Sequence, residues 1–215
     1  MHSQPFELIG DNAATVEWLN GRWRAYISGY AAAIGALPYF MLQTEEQGVL
    51  HTRTRAADWS RHAFREHNQQ ADGQATMAII SGRSHWAGEA MVLDWGTVVA
   101  LRGFYDGGRR QGMAASGWVL EAGTLYNSGL MLLHGRLRAW ALHWSVVGSA
   151  RIIIGERVSV AAAALFALCE LVCALTQFAV NRGALICHPR SATVALPRHH
   201  PLCNAASALR LHTLD

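Results

Sequence analysis

The apolar positions of the chain fall into short runs cut by glycine-rich turns, with one long apolar stretch near the C-terminal third. Val98 to Asp106 (VVALRGFYD) is a continuous apolar run with β-branched residues, the pattern of a buried strand. It closes on Asp106-Gly107-Gly108, which places a carboxylate at a strand end where a sharp turn is expected. Ala114 to Leu120 (AASGWVL) lies at the right spacing to be its antiparallel hairpin partner. Upstream, residues 6–12 predict a short strand ending in Gly10-Asp11-Asn12. Ala13 to Asn20 then reads as a helix capped by Asn12 and stopped by Gly21. Residues 22–42 predict one further helix with a break at Pro38, and Arg61 to Arg65 alternates as a strand does. A small-residue helix follows Asp72 and runs to Ile80. Residues 81–97 carry glycine, serine and two tryptophans without a period and read as a linker. Residues 127–143 fit strand, turn or helix. Arg151 to Gly155 predicts another strand, Val158 to Val180 a helix, and Gly183 to Leu196 a last strand and turn; the rest is a tail of low information.

At 215 residues the chain holds the core of one domain, or at most two. Hydrophobic residues make up 51% and charged residues 15%, which excludes a disordered chain. The net charge is +3 and the basic residues are arginines, suited to bidentate contact with phosphate or carboxylate. A charge of that size does not by itself identify a nucleic-acid partner. Cys169 and Cys173 lie four apart in an apolar stretch and read as buried thiols. Cys187, His188, His199, His200 and Cys203 lack zinc-site spacing. Val158 to Val180 has the length of a membrane span, roughly 20 residues. It is interrupted by Glu170 and dominated by alanine, so a buried helix accounts for it better than a membrane anchor. No basic-then-apolar leader opens the sequence, and the expected compartment is reducing and intracellular, cytoplasmic or nuclear.

Three motifs together resemble the type 1 ribonuclease H family in the form attached to retroelement reverse transcriptases. The first is Tyr105-Asp106-Gly107-Gly108 with its following hairpin. The second is Gly10-Asp11-Asn12 leading to Trp18-Leu19-Asn20-Gly21. The third is Arg65-Glu66-His67-Asn68-Gln69-Gln70-Ala71-Asp72. Their order is exchanged relative to the family: residues 1–80 resemble its C-terminal half and residues 98–196 its N-terminal half, with 81–97 between them and 197–215 as a tail. The exchange reads as a circular permutation, or as the end of one copy joined to the start of another. The 17 residues of 81–97 can reach about 55 Å, enough to rejoin the old ends of a small domain.

The resemblance implies an α/β ribonuclease H-like fold, a mixed five-stranded sheet flanked by helices with the halves in permuted order. It implies hydrolysis of the RNA strand of RNA–DNA hybrids with Mg²⁺, or Mn²⁺ in its place. Two hard cations about 4 Å apart clamp the scissile phosphate and need converging carboxylates. Carried over by position, those carboxylates are Asp106, Asp11 and Asp72, with Asp106 shared by both metals. The family's fourth carboxylate, a glutamate on the next helix, falls on Ala164; Glu170, six residues on, points elsewhere round a helix. Asn12, Arg109 and Arg110 are the candidate contacts to the nucleic acid, and His67 lies near the position of the family's mobile histidine. The alternative reading, favoured by Ala164, is a catalytically inactive nucleic-acid-binding remnant of a retroelement. Neither reading involves a membrane.

Overall fold

The computed structural model describes residues 4–26, 29–37, 50–52, 58–87, 98–126 and 141–187. In chain order the elements are β1 (Gln4–Gly10), α1 (Ala13–Leu19), a helix α2 over 29–37, β2 (Leu50–Thr52) and β3 (Ser60–His62). A single 3-10 turn (Arg65–His67) leads into α3 (Gln69–Ser81) and β4 (His85–Ala87). Then come β5 (Val98–Arg110), β6 (Met113–Tyr126), β7 (Ala141–Glu156) and α4 (Val160–Cys187). The strands form one mixed sheet in the order β2-β1-β5-β6-β7-β4, with β3 also paired to β1. The expected α/β architecture is present; among the described residues the sheet has seven strands where five were expected, with β2 and β4 at its two edges.

The centre of the sheet joins the first described strand to one from the middle of the chain. β1 runs parallel to β5, with Phe6 opposite Leu101 and Gly10 opposite Tyr105. On its other side β1 takes β2 along its first half and β3 along its second, both parallel. β5, β6 and β7 form an antiparallel meander, and β4 pairs antiparallel with β7.

The sharp turn expected at Asp106-Gly107-Gly108 does not occur. All three residues lie inside β5, opposite Gly117, Ser116 and Ala115. The chain reverses only after Arg110, at Gln111 (φ 52°) and Gly112 (φ 84°), the left-handed pair that a tight hairpin favours. The glycines serve packing instead. A Cβ at Gly107 would stand 2.2 Å from the backbone nitrogen of Ala164, so α4 rests directly on the strand. A Cβ at Gly117 would stand 2.3 Å from the carbonyl of Ala71, so α3 rests as closely on β6. Gly117 is opposite Asp106 and Gly107 opposite Ser116, so the two helices occupy opposite faces of the sheet.

Each helix carries the residues its contact demands. α4 is buried around most of its circumference from Ala162 to Cys169, which is why its apolar residues show no one-sided stripe. It packs with Leu8, Val16, Leu37, Tyr105 and Leu120 in the larger core. α3 buries a stripe of small residues, Ala71, Ala75 and Ala78, on the sheet. Ala71 joins Ile9, Ala63, Phe104 and Val119 in the smaller core on that face.

Other boundaries differ from the sequence pattern for local reasons. The segment 81–97 is not wholly a linker: His85–Ala87 is a strand against Arg151, Ala150 and Ser149. The strand expected over 61–65 is Ser60–His62, because Arg65–His67 winds into a 3-10 turn. The following helix already begins at Gln69, which puts Asp72 in its first turn. Residues 22–26 are not helical and α2 covers 29–37; the break at Pro38 lies outside the described residues. The strand expected from Gly183 is helical through Cys187, and 188–196 lies outside the described residues, as do 127–140 and 197–215. Burial pushes the Cys169 thiol up to about 12, in keeping with an inert core cysteine. Among the described residues no helix is long and apolar enough to cross a membrane.

The glycine contacts give a direct test of the packing. Gly117→Ala and Gly107→Ala should each cost about 2 kcal/mol or more in denaturant unfolding, because backbone stands where the methyl must go. Gly73→Ala on α3, with nothing within 4 Å of its Cβ position, should instead stabilise by about 0.5–1 kcal/mol.

Candidate functional site

The β1/β5 register fixes where two of the three expected aspartates lie. Gly10 is opposite Tyr105, so the next residue on each parallel strand, Asp11 and Asp106, falls side by side. Gly10 is required there: a Cβ would stand 2.4 Å from the Tyr105 ring. That ring is fully buried and its hydroxyl hydrogen-bonds with Ser60 Oγ at 2.9 Å, tying β3 to β5 across β1. Asn20 secures the same edge from α1, accepting from the backbone N–H groups of Trp59 and Ser60 and donating to the Ser60 carbonyl.

The third aspartate arrives through α3. Asn68, 1% exposed, donates from Nδ2 to the carbonyl of Tyr105, one residue before Asp106. This bond and the Ala71–Gly117 approach hold the start of α3 over β5 and β6, and Asp72 lies in its first turn. There Asp72 Oδ1 accepts from Arg65 Nη2 at 2.7 Å.

Asp106 is the buried member, 5% exposed. Burial, the neighbouring Asp11 charge and a carboxyl–carboxyl hydrogen bond with Asp11 push its pKa up to about 8. The Gly107 N–H, donating to Oδ1 at 2.7 Å, opposes this, and the Asp72 charge adds to it. Two carboxylates this close cannot both be ionised without a counter-charge.

The remaining expected residues are placed as follows. Asn12 caps α1, its Oδ1 accepting from the Thr15 N–H at 3.1 Å. Arg109 and Arg110 are exposed at the end of β5, and the pleat turns them to opposite faces, so they do not converge on the aspartates. Ala164 is fully buried with its backbone against Gly107, on the sheet face opposite the Asp106 side chain, and supplies no carboxylate. His67 is exposed in the 3-10 turn. His62, which the motifs did not single out, places Nε2 3.1 Å from the Asp11 carbonyl. Among the described residues no three His, Cys, Asp or Glu side chains stand in a metal-holding arrangement.

A second feature escaped the motif reading. A cleft of about 590 Å³ is lined by Trp18, Arg22, Trp23, Arg24, Tyr26 and Tyr30. It opens at the C-terminal end of α1, a helix of seven residues and so about 10 Å from Asp11 at the other end. Arg22 is held by Glu17 and Asp58, whereas Tyr26 is 95% exposed and Trp23 54%. The signal was present in the alternation of aromatic and basic residues over Trp18 to Tyr26.

No protein-family model matches this chain, and no curated protein or solved structure matches it.

The Asp11–Asp106 pair has a pH signature. A carboxyl raised in the folded state supports stability fully only below its unfolded value, ~4, and that support is lost as pH rises through about 8. Asp106→Asn removes the repulsion. Without divalent metal, thermal unfolding should show the variant and the natural protein close at pH 4. By pH 8.5 the variant should be more stable by about 1–2 kcal/mol.

Proposed function

We propose that the chain is a ribonuclease H-like domain, its halves in permuted order, that binds RNA–DNA hybrids and hydrolyses their RNA strand with Mg²⁺ or Mn²⁺. The observation that carries this reading is the parallel β1/β5 pairing, by which residues of the 1–80 and 98–196 segments build one sheet and Asp11 meets Asp106. The antiparallel hairpin that follows Asp106 and the helix that carries Asp72 in its first turn add support to the reading.

The donor set suits a hard divalent cation, which oxygen ligands favour. Asp106 and Asp11 would hold it, and Asp72 would join them once released from Arg65. When bound, such ions activate water and stabilise the leaving oxygen of a phosphodiester. The chain's own residues do the rest. Asn68 and Gly107 fix the orientation of Asp106 and of the strand that bears it. The aromatic cleft offers stacking surfaces, and Arg24 a charge for a phosphate, at one helix length from the aspartates. Recognition by backbone and 2′-hydroxyl shape requires no sequence preference.

A second reading, an inactive binding module, draws on one observation: in the sequence Ala164 takes the position of the family's glutamate, and it supplies no carboxylate. Cleavage of a labelled RNA–DNA hybrid in Mg²⁺ or Mn²⁺ separates the two. The enzyme reading expects cleavage that Asp106→Asn reduces by about 100-fold or more. Hybrid binding without cleavage, with or without Ala164→Glu, favours the inactive module, and absence of both overturns both readings.

The cleft is tested apart from the chemistry. Arg24→Ala and Tyr26→Ala should each weaken hybrid binding several-fold, on the order of 1 kcal/mol, with unchanged thermal stability. Unchanged affinity would remove the cleft from the interface.

A further inference from the structure

The cleft at the C-terminal end of α1 has a fixed floor and an exposed rim. Tyr30 is buried in the larger core, and its hydroxyl lies 3.4 Å from Ser159 Oγ. Trp18 packs against the same core, its ring tilted by 47° to that of Tyr30 with centroids 5.7 Å apart. The rim is formed by Trp23 and Tyr26, whose rings are exposed to water. The charges that line the cleft are both positive, Arg22 and Arg24. Glu17 and Asp58 hold Arg22 but do not line the cleft. Arg24 is exposed and makes no ion pair among the described residues.

Ring faces beside a guanidinium suit a ligand that has both an aromatic face and an anionic group. The positive lining disfavours an ammonium ligand, which clusters of aromatic rings otherwise attract. A nucleotide has both parts. In a duplex each base is already stacked on its neighbours, so only an unpaired base offers a face to a side chain. At about 590 Å³ the cleft has the size of a small-molecule site, too small to admit a duplex.

We infer that the cleft takes an unpaired nucleotide of a single-stranded extension, its base stacked on the exposed rings of Trp23 and Tyr26 and its phosphate on Arg24. The inference rests on the hybrid-binding reading for the duplex part of the ligand, and it narrows the substrate class to hybrids with a single-stranded stretch beside the duplex. No part of it involves a metal ion. Stacking one base on an exposed aromatic side chain strengthens binding by about fivefold or more.

The test is binding by fluorescence anisotropy, with the full chain in chelator so that no strand is cut. The probes are a blunt RNA–DNA hybrid, the same hybrid with a short run of unpaired thymidines at both ends of its DNA strand, and the thymidine run alone. The proteins are the natural chain, Trp23→Ala, Tyr26→Ala and Tyr26→Phe, each checked by thermal unfolding. The natural chain should bind the extended hybrid about fivefold or more tighter than the blunt one. Tyr26→Phe should keep that preference, and each alanine variant should reduce it to within about twofold. Equal affinity of the natural chain for the two hybrids overturns the inference and leaves the hybrid-binding reading standing. A preference that both alanine variants keep does the same. If neither hybrid binds, the hybrid-binding reading falls and the thymidine run decides the cleft. Binding of that run that Tyr26→Ala weakens by about fivefold or more supports a site for unpaired nucleotides, and any other result overturns it.

Discussion

The parallel pairing of β1 with β5 is the contact on which the rest of the molecule depends. Its partners are separated by most of the first half of the chain, so the pairing must offset a large loop-closure entropy before it stabilises anything. The burial of Phe6, Leu8, Leu101 and Tyr105 along the pair, under α4, provides that offset. Side chains at its C-terminal end reinforce it. The Tyr105 hydroxyl reaches Ser60, Asn20 bridges α1 to β3, and Asn68 bridges the start of α3 to the Tyr105 carbonyl. All of these bonds converge within a few residues of Asp11 and Asp106. The most heavily braced corner of the sheet is the one that holds a repelling pair of carboxyls.

The close approach of the helices has the same origin. Glycine at 107 and 117, with alanine along α3 and α4, brings helix backbone onto the strands on both faces. The contact leaves no room for adjustment, and it sets the heights of Asp72 and of position 164 above the sheet. A burial of Asp106 that is unfavourable for its charged form is thereby imposed on the face that α3 covers. The Arg65 guanidinium, paired with Asp72, adds a positive charge at the start of α3.

Local chemistry made much of this legible in the sequence. The β-branched run from Val98, the Asn12 cap and the alanine-rich helix after Val158 each carried their own signal, and each element is present. What the sequence obscured was the reason for the glycines. Asp106-Gly107-Gly108 has the composition of a turn, yet Gly107 makes room for a helix over an uninterrupted strand, a cause that lies 57 residues on at Ala164. β2 and β4, at three residues each, are too short to show a period and exist only because an edge is available to pair with. Of the candidate site, Asp11 and Asp106 come side by side through the β1/β5 register, a long-range pairing that no local pattern displays. Arg109 and Arg110 diverge because the pleat alternates, which adjacent sequence positions conceal. Asn12 is occupied by its helix, and Arg65 and Asn68 showed nothing of their roles beyond membership of a motif.

The juxtaposition of Asp11 and Asp106 is the central claim, and the titration of the Asp106 carboxyl reads it most directly. With carboxyl-labelled aspartate and metal-free protein, nuclear magnetic resonance should show Asp106 titrating near pH 8, well above the ordinary carboxyl range. In Asp11→Asn the same carbon should titrate at distinctly lower pH, since one of the two principal causes of the shift is gone. An Asp106 that titrates in the ordinary range, or whose titration is unmoved by Asp11→Asn, would mean that β1 does not bring these residues together.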